Sequence, residues 1–479
     1  MSLKKAALSG VKWSSLLQVG RQIIQFVTTA ILARLLSPAD FGLVGMATIV
    51  IGFVNLFKDL GTSSAIIQKK NVSQELIYSL FWINVAFGFL GTLVLFTSAP
   101  AIAKFYQEPR LTSILQILSL SFFISGLSIL QKALLERNLD FKTLAKIDIV
   151  ALFFSSSVGI ILAFSGYGVW SLVLQTLTAV TITSILLWIA NRWQPKFIFR
   201  WQEIKEISNY SLNLTGFNIF NYFTRNADYF LIGKFLGSQS LGYYTLAYKL
   251  MLYPLQNISR VIGKVMFPVF TKIQDDDVKF KTAYLEVIGY IAVVTFPLMI
   301  GLWASAEPFI LTMFGSQWQP VIALLMILTP VGMAQSIETT IGQIYQIKDR
   351  TDLMFRWSIC EGTLLIIAWV IGLRWGIVGV AISYSLMYFA LIYPSFVIPF
   401  NLIDLSIFRM AAVLWRQLVS SLLMLIVLLG VKLLLPTNLA DGWVLAILIV
   451  TGGIAYFLAS WSINRKQIQQ LLKTVGVKI

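Results

Sequence analysis

Residues 31–42, ILARLLSPADFG, end one apolar run and begin the next. The first reaches back to residue 11 and the second on to residue 66, each long enough to cross a bilayer core, with only LSPAD (36–40) between them. Two helices that cross a membrane and return fit this pattern. Working outward, similar runs recur near 75–99, 113–131, 147–165, 168–190, 207–235, 241–270, 283–305, 320–346, 355–373, 377–400, 411–435 and 443–461. Tight turns near Gly166–Gly168 and Gly372–Gly376 separate pairs that could otherwise be read as single spans. The composition agrees: 57% of the 479 residues are apolar and 12% charged, against about half and a quarter in soluble proteins. The start MSLKKAALSG lacks a small-residue cleavage pattern and is read as mature protein.

An even number of spans puts both termini on one side. If that side is cytoplasmic, its loops and tails carry 24 basic residues, from Lys4 to Lys478, against six on the other side: Arg34, Lys104, Arg110, Lys234, Arg374 and Lys432. This asymmetry runs through the whole chain and accounts for the net charge of +16 without a nucleic-acid partner. After Trp461, Ile468, Leu472 and Val475 share one helical face, which predicts a short amphipathic helix on the cytoplasmic surface.

Shifting the chain by 200 residues aligns ILARLLSPADFG with LIGKFLGSQSLG (231–242). Arg34 then meets Lys234, Leu36 meets Leu236 and Gly42 meets Gly242. The same offset pairs Gln18 with Asn218, Arg21 with Asn221, Gln25 with Arg225 and Thr28 with Asp228. Copies with an even number of spans are parallel repeats about an axis along the membrane normal. The expectation is an all-α membrane protein of about 14 transmembrane helices, two six-helix lobes around a central cavity plus a C-terminal helix pair. The lobes would be 1–190 and 207–400, joined by a cytoplasmic linker, NRWQPKFIFRWQEIKE (191–206), with the appended pair and amphipathic tail in 401–479.

Polar residues inside the spans point to function. Ser14, Gln18, Arg21, Gln25 and Thr28 fall on one face of the first helix, and Ser211, Thr215, Asn218, Asn221 or Tyr222, Arg225 and Asp228 repeat that stripe on the seventh. Arg225 and Asp228 are one turn apart and able to pair. Lys58 and Asp59 on the second helix, with Lys249, Arg260 and Lys264 on the eighth, leave these four helices strongly net positive. A charge at bilayer depth costs at least ~2.5–3.5 kcal/mol. Lys12 and Lys264 can snorkel to the surface, but Arg21 and Arg225 lie about ten residues, or roughly 15 Å, from the nearer helix end. A cationic cavity follows, with Arg21, Arg225, Lys58, Lys249 and Arg260 as anion-binding candidates and Gln18, Gln25, Asn218 and Asn221 as its polar lining. Asp59 and Asp228 are either counter-ions or have their own task. Glu338 and Glu361 either pair with Arg350 or Arg356, or serve as carboxylates for a coupling ion, H+ or Na+.

The chain has no histidine and a single cysteine, Cys360, which excludes imidazole metal sites, Ser-His-Asp triads and an intramolecular disulfide. No cofactor or metal is expected. The acidic run Asp275–Asp277 lies beside Lys272, Lys279 and Lys281 and reads as a solvated loop rather than the metal-binding carboxylates of a polymerase or glycosyltransferase.

ARLLSPADFG (33–42), DLGTSSAIIQ (59–68), IAKFYQEP (102–109), LLERNLDFKTLAK (134–146) and GYGVWSLVLQ (166–175) resemble the polysaccharide transporter, or Wzx-type flippase, branch of the multidrug/oligosaccharidyl-lipid/polysaccharide exporter superfamily. The match is dense over the first six helices and thinner over 207–400. The resemblance implies a flippase in a bacterial inner membrane, multi-pass and not an enzyme. It would move undecaprenyl-diphosphate-linked oligosaccharide to the outer leaflet by alternating access for surface polysaccharide biosynthesis, among membrane lipids and beside a polymerase or export machinery. By helix placement, Arg21 and Arg225 would be the cavity cations. Rival readings are a multidrug/cation antiporter of the same superfamily, whose pocket should carry carboxylates rather than net positive charge, and a peptidoglycan-precursor lipid flippase, which charge alone does not separate.

Overall fold

Backbone groups in lipid must bond within their own segment, which a helix achieves and an isolated strand does not. The computed structural model describes residues 20–56, 66, 73–191, 193–465 and 469, with the backbone alone at 201–220 and at 260, 261, 264 and 265, and these residues contain helices and no strand. The expected Gln18, Lys58 and Asp59 and most of the amphipathic tail lie outside the described residues.

The chain forms two compact units, one up to Gly242 and one from Tyr243 on. The first holds α1 (20–35), α2 (Pro38–Asn55), α3 (Gln74–Tyr106), α4 (Leu111–Gly126), α5 (Ile129–Arg137), α6 (Phe141–Phe164), α7 (Val169–Ala190) and the first part of α8 (Trp201–Pro254). The LSPAD break becomes a cap: Ser37 Oγ accepts from Asp40 N–H at 3.3 Å, and the Asp40 carboxylate accepts from Ser37 N–H at 3.0 Å. Pro38 fits the first helical turn, where its missing N–H costs nothing. Helix α3 pairs with α4, α6 with α7, and α4 with α7 and α2. Thr92 Oγ1 on α3 donates to Ser119 O of α4 at 2.8 Å, a buried polar link of the kind that joins helices in lipid.

The second unit continues α8 through a π turn (Leu255–Ser259) into α9 (Arg260–Lys272), then α10 (Asp277–Ala304), α11 (Ala306–Met313), α12 (Pro320–Glu338), α13 (Ile341–Ile347), α14 (Thr351–Gly372), α15 (Gly376–Asn401), α16 (Ile407–Leu434) and α17 (Asp441–Ile463). Its core gathers Phe270, Phe280, Tyr284, Phe396 and Phe400. The C-terminal pair α16 and α17 packs against α10 and α11. Leu90, Leu93 and Val94 on α3, Phe153 and Ile161 on α6, and Ile449, Val450 and Leu458 on α17 are exposed, as expected of side chains that face lipid.

Nine helical stretches among the described residues are long and apolar enough to span a membrane, and a tenth is the pair α4 and α5, bent by 43°. One of the nine, Thr351–Asn401, contains two helices, α14 and α15, joined through the turn at 373–375. Helix α1, described over 20–35 only, and polar α8 are not among them. Helix α8 is itself interrupted at Gly237, whose φ of 80° is a conformation that a side chain disfavours.

The linker residues 193–200 fold back on α3. Arg200 pairs with Glu75 at 2.6 Å, Trp82 Nε1 donates to Lys196 O at 2.9 Å, and the Trp82 and Phe197 rings stack at 4.4 Å. This anchors the linker at the end of α3 where that helix begins.

Candidate functional site

The first part of α8 runs antiparallel to α2, and contacts follow the pair along its length. The Tyr222 hydroxyl donates to Ile49 O and fills the notch left by Gly52, where a Cβ would stand 2.3 Å from it. One ring further, Phe53 and Phe223 lie 5.2 Å apart. At the far end the backbones meet without side chains between them. A Cβ on Gly42 would be 1.6 Å from Ser238 O, and one on Gly242 would be 1.9 Å from Pro38 O. Residues 38 and 42 thus make to 238 and 242 the same contact that they receive, with the 200-residue partners exchanged. The neighbouring corner is tied as well: Ser238 Oγ donates to Glu108, and Lys234 Nζ donates to Phe105 O while sitting 4.4 Å from the Phe105 ring centroid.

Away from this closed corner lie the polar faces. Arg21 and Gln25 are exposed on α1, and Thr28, one turn further, is buried. Arg21 reaches across to α6, where its Nη1 bonds Asp148 Oδ2 at 3.2 Å. Arg225 is exposed on α8, twelve residues before the break at Gly237, or ~18 Å at 1.5 Å per residue. It makes no ion pair among the described residues. Of the two readings of Asp228, pairing with Arg225 is not what forms: Asp228 is 1% exposed, and its Oδ1 accepts from Tyr229 N–H at 2.8 Å. Of the two alternatives at one stripe position, Tyr222 turns into α2 and Asn221 stays partly exposed. In the second unit Lys249 is exposed. Asn218 and Arg260 are placed on their helices by the backbone, and their side chains lie outside the described residues.

Asp148 escaped the sequence reading for a physical reason. The apolar run read from the sequence begins near residue 147, which sets Asp148 at its edge. The helix in fact starts at Phe141, which places Asp148 seven residues, or ~10 Å, inside it. A carboxylate facing the α1 stripe was therefore left out of the charge balance.

The acidic residues sort by surroundings. In the 275–277 loop, Asp276 caps α10, accepting from Lys279 N–H at 3.1 Å, and pairs with Lys279 Nζ at 2.7 Å. The hydrogen bond from the Lys279 ammonium holds the Asp276 carboxyl below the usual carboxylate range. Asp277 pairs with Lys348 at 3.0 Å. No group of three metal-ligating side chains occurs among the described residues. Arg350 pairs with Asp352 at 2.9 Å rather than with Glu338, whose carboxylate on α12 accepts from the Tyr388 hydroxyl of α15.

This fold is that of the lipid II flippase MurJ in an inward closed conformation, with a TM-score of 0.76 at 16% identity over 95% of this chain and 99% of that one. It is shared with an inward-facing multidrug resistance MATE family transporter of the MOP superfamily, at 0.64 and 15% over 83% and 98%. With nine apolar helical stretches long enough to span a membrane among its described residues, the molecule is a multi-pass membrane protein that shares the fold of these two structures. Residues 31–323, more than half of the chain, match the polysaccharide biosynthesis protein family. The chain is similar to the teichuronic acid biosynthesis protein TuaB of Bacillus subtilis, 29% identical over 77% of this chain and 80% of that one. It is also similar to the succinoglycan biosynthesis transport protein ExoT of Rhizobium meliloti, 31% identical over 68% and 67%. The chain belongs to the polysaccharide biosynthesis protein family and is a transport protein, not an enzyme.

Proposed function

We propose that this protein is a flippase that moves an undecaprenyl-diphosphate-linked oligosaccharide from the cytoplasmic to the outer leaflet, with both chain ends cytoplasmic. The observation that carries the reading is Arg225: a cation well inside α8, twelve residues before its break at Gly237, exposed, with no ion pair among the described residues. An arginine so placed must face water or an anion, and its planar guanidinium matches the oxygens of a diphosphate. Arg21 is the second donor, with Lys249, Lys58 and Arg260 completing the cationic lining and Gln18, Gln25, Asn218 and Asn221 its polar part. The lobes 1–190 and 207–400 would act as the two halves of an alternating-access cycle, and the exchanged contacts of Gly42 and Gly242 support that repeat. A drug antiporter shares the fold alone, and its cationic cargo would be repelled by this lining.

The reading is tested by deleting the gene in its host. Lipid-linked oligosaccharide should accumulate in the cytoplasmic leaflet while a surface glycan disappears. An unchanged intermediate with raised sensitivity to cationic drugs would sink it. A finer prediction concerns Asp148, which holds Arg21 when no anion does. Asp148→Asn should tighten binding of the lipid diphosphate by up to about fivefold, because a half-exposed ion pair contributes ~0–1 kcal/mol. Weaker binding, measured by titration of the detergent-solubilised protein, would remove Asp148 as a competitor.

A further inference from the structure

Glu338 is the last residue of α12, nine residues before the end of the span Pro320–Ile347, or ~14 Å deep. The span is interrupted immediately after it, at Thr339–Thr340, before α13 begins. Breaks of this kind in membrane helices occur where backbone lines a cavity or site.

The carboxylate faces hydroxyl groups and no basic side chain among the described residues. Tyr388 donates to it from α15. Ser395, also on α15, is a second hydroxyl nearby, and its Oγ accepts from Trp357 Nε1 at 3.3 Å. The other titratable groups nearby are Tyr284 from α10, Tyr384 from α15, Tyr248 from α8 and Glu361 from α14. None brings a positive charge. A half-buried carboxylate with no cation beside it among the described residues is costly as an anion, and the surrounding hydroxyls can serve it with or without a proton.

Two hydroxyl pairs lie on either side of it in sequence, Ser336 with Thr295 at 2.9 Å and Thr340 with Tyr284 at 2.9 Å, and the Gln335 amide donates to Tyr384 at 2.8 Å. In a chain without histidine these are the groups through which a proton could pass. A metal cation would need several free oxygen donors, whereas here the Tyr388 proton already points at the carboxylate.

We propose that Glu338 binds and releases a proton during the transport cycle. Its charge sets how firmly Tyr388 holds α15 to the broken end of α12, because a hydrogen bond to an ionised carboxylate is about twice as strong as one to a neutral group. The proton site stands independently of the cargo; its coupling to transport rests on the flippase reading above.

The test uses the full chain in lipid. Infrared spectroscopy should show a protonated-carboxyl carbonyl band that grows as pH falls. Glu338→Gln, which keeps the side chain's shape, should lack that band, and Tyr388→Phe should shift its frequency and midpoint. No such band at any pH, survival of the band in Glu338→Gln, or its removal by Na+ at constant pH would overturn the proposal. Coupling is read separately in proteoliposomes: an imposed pH gradient should speed flipping by the wild type and not by Glu338→Gln. A titrating band with flipping indifferent to the gradient would overturn the coupling, while a titrating band with no flipping of the lipid diphosphate by the wild type would instead remove the cargo reading.

Discussion

Gly42→Val is expected to insert normally in the membrane and to lose transport by more than about a hundredfold, and Gly242→Val likewise. A side chain at either position meets backbone, not a movable rotamer: the first Cβ atom would overlap Ser238 O or Pro38 O. The helices must part, and overpacking of this kind costs about 1–3 kcal/mol or more. At the upper figure a two-state equilibrium moves by more than about a hundredfold, which would depopulate the conformation that is closed at this corner. Ser238 is buried in that conformation. A cysteine placed there, with Cys360 replaced by serine, should resist a water-soluble maleimide in the parent and react with it in Gly42→Val. Equal protection in both would show that the glycines are not what holds the corner shut.

Arg225→Ala should cost about 10- to 150-fold in kcat/KM for the lipid-linked diphosphate, because charge-assisted hydrogen bonds contribute about 1.5–3 kcal/mol each. Its insertion should be unaffected, since Arg225 supports no ion pair among the described residues. Arg21→Ala is expected to do two things, removing an anion donor and leaving Asp148 without its partner. The double variant Arg21→Ala/Asp148→Asn separates them: it should recover the membrane level of the parent while transport stays low. Full transport in Arg225→Ala, measured in proteoliposomes, would take the cationic cavity off the table.

The membrane fold was legible because lipid leaves so few options: apolar runs of the right length, separated by charged turns, have to be helices. Loop charges set the expected orientation in the same way. The 200-residue offset pairs Gly42 with Gly242 in sequence, but nothing in the letters said how closely each would approach the other's helix. Side-chain pairing was less accessible. Asp148 was hidden by the soft boundary of its helix, and Arg225 and Asp228, spaced to meet, part because Asp228 is buried away from the exposed arginine face. Glu338 could be singled out as an acid in a span, but its tyrosine partner lies fifty residues on, a contact that only the packing of α12 on α15 creates. Spacing determines which groups share a helix face; tertiary contact determines whom they meet.

The clasp of residues 193–200 on α3 bears on how the protein is made. Every group it needs, from Glu75 and Trp82 to Phe197 and Arg200, has been synthesised once the ribosome passes residue 200. The leading helices can then settle as a bundle while the rest of the chain is still emerging, in keeping with the N-terminal-first order of folding during synthesis. The first part of α8 would arrive afterwards, laid along α2 like a strap over a closed case. A nascent chain stalled just far enough beyond Arg200 for that residue to have left the ribosomal exit tunnel should already shield Trp82 from a quencher, and Arg200→Ala/Phe197→Ala should delay that protection until α8 is in place.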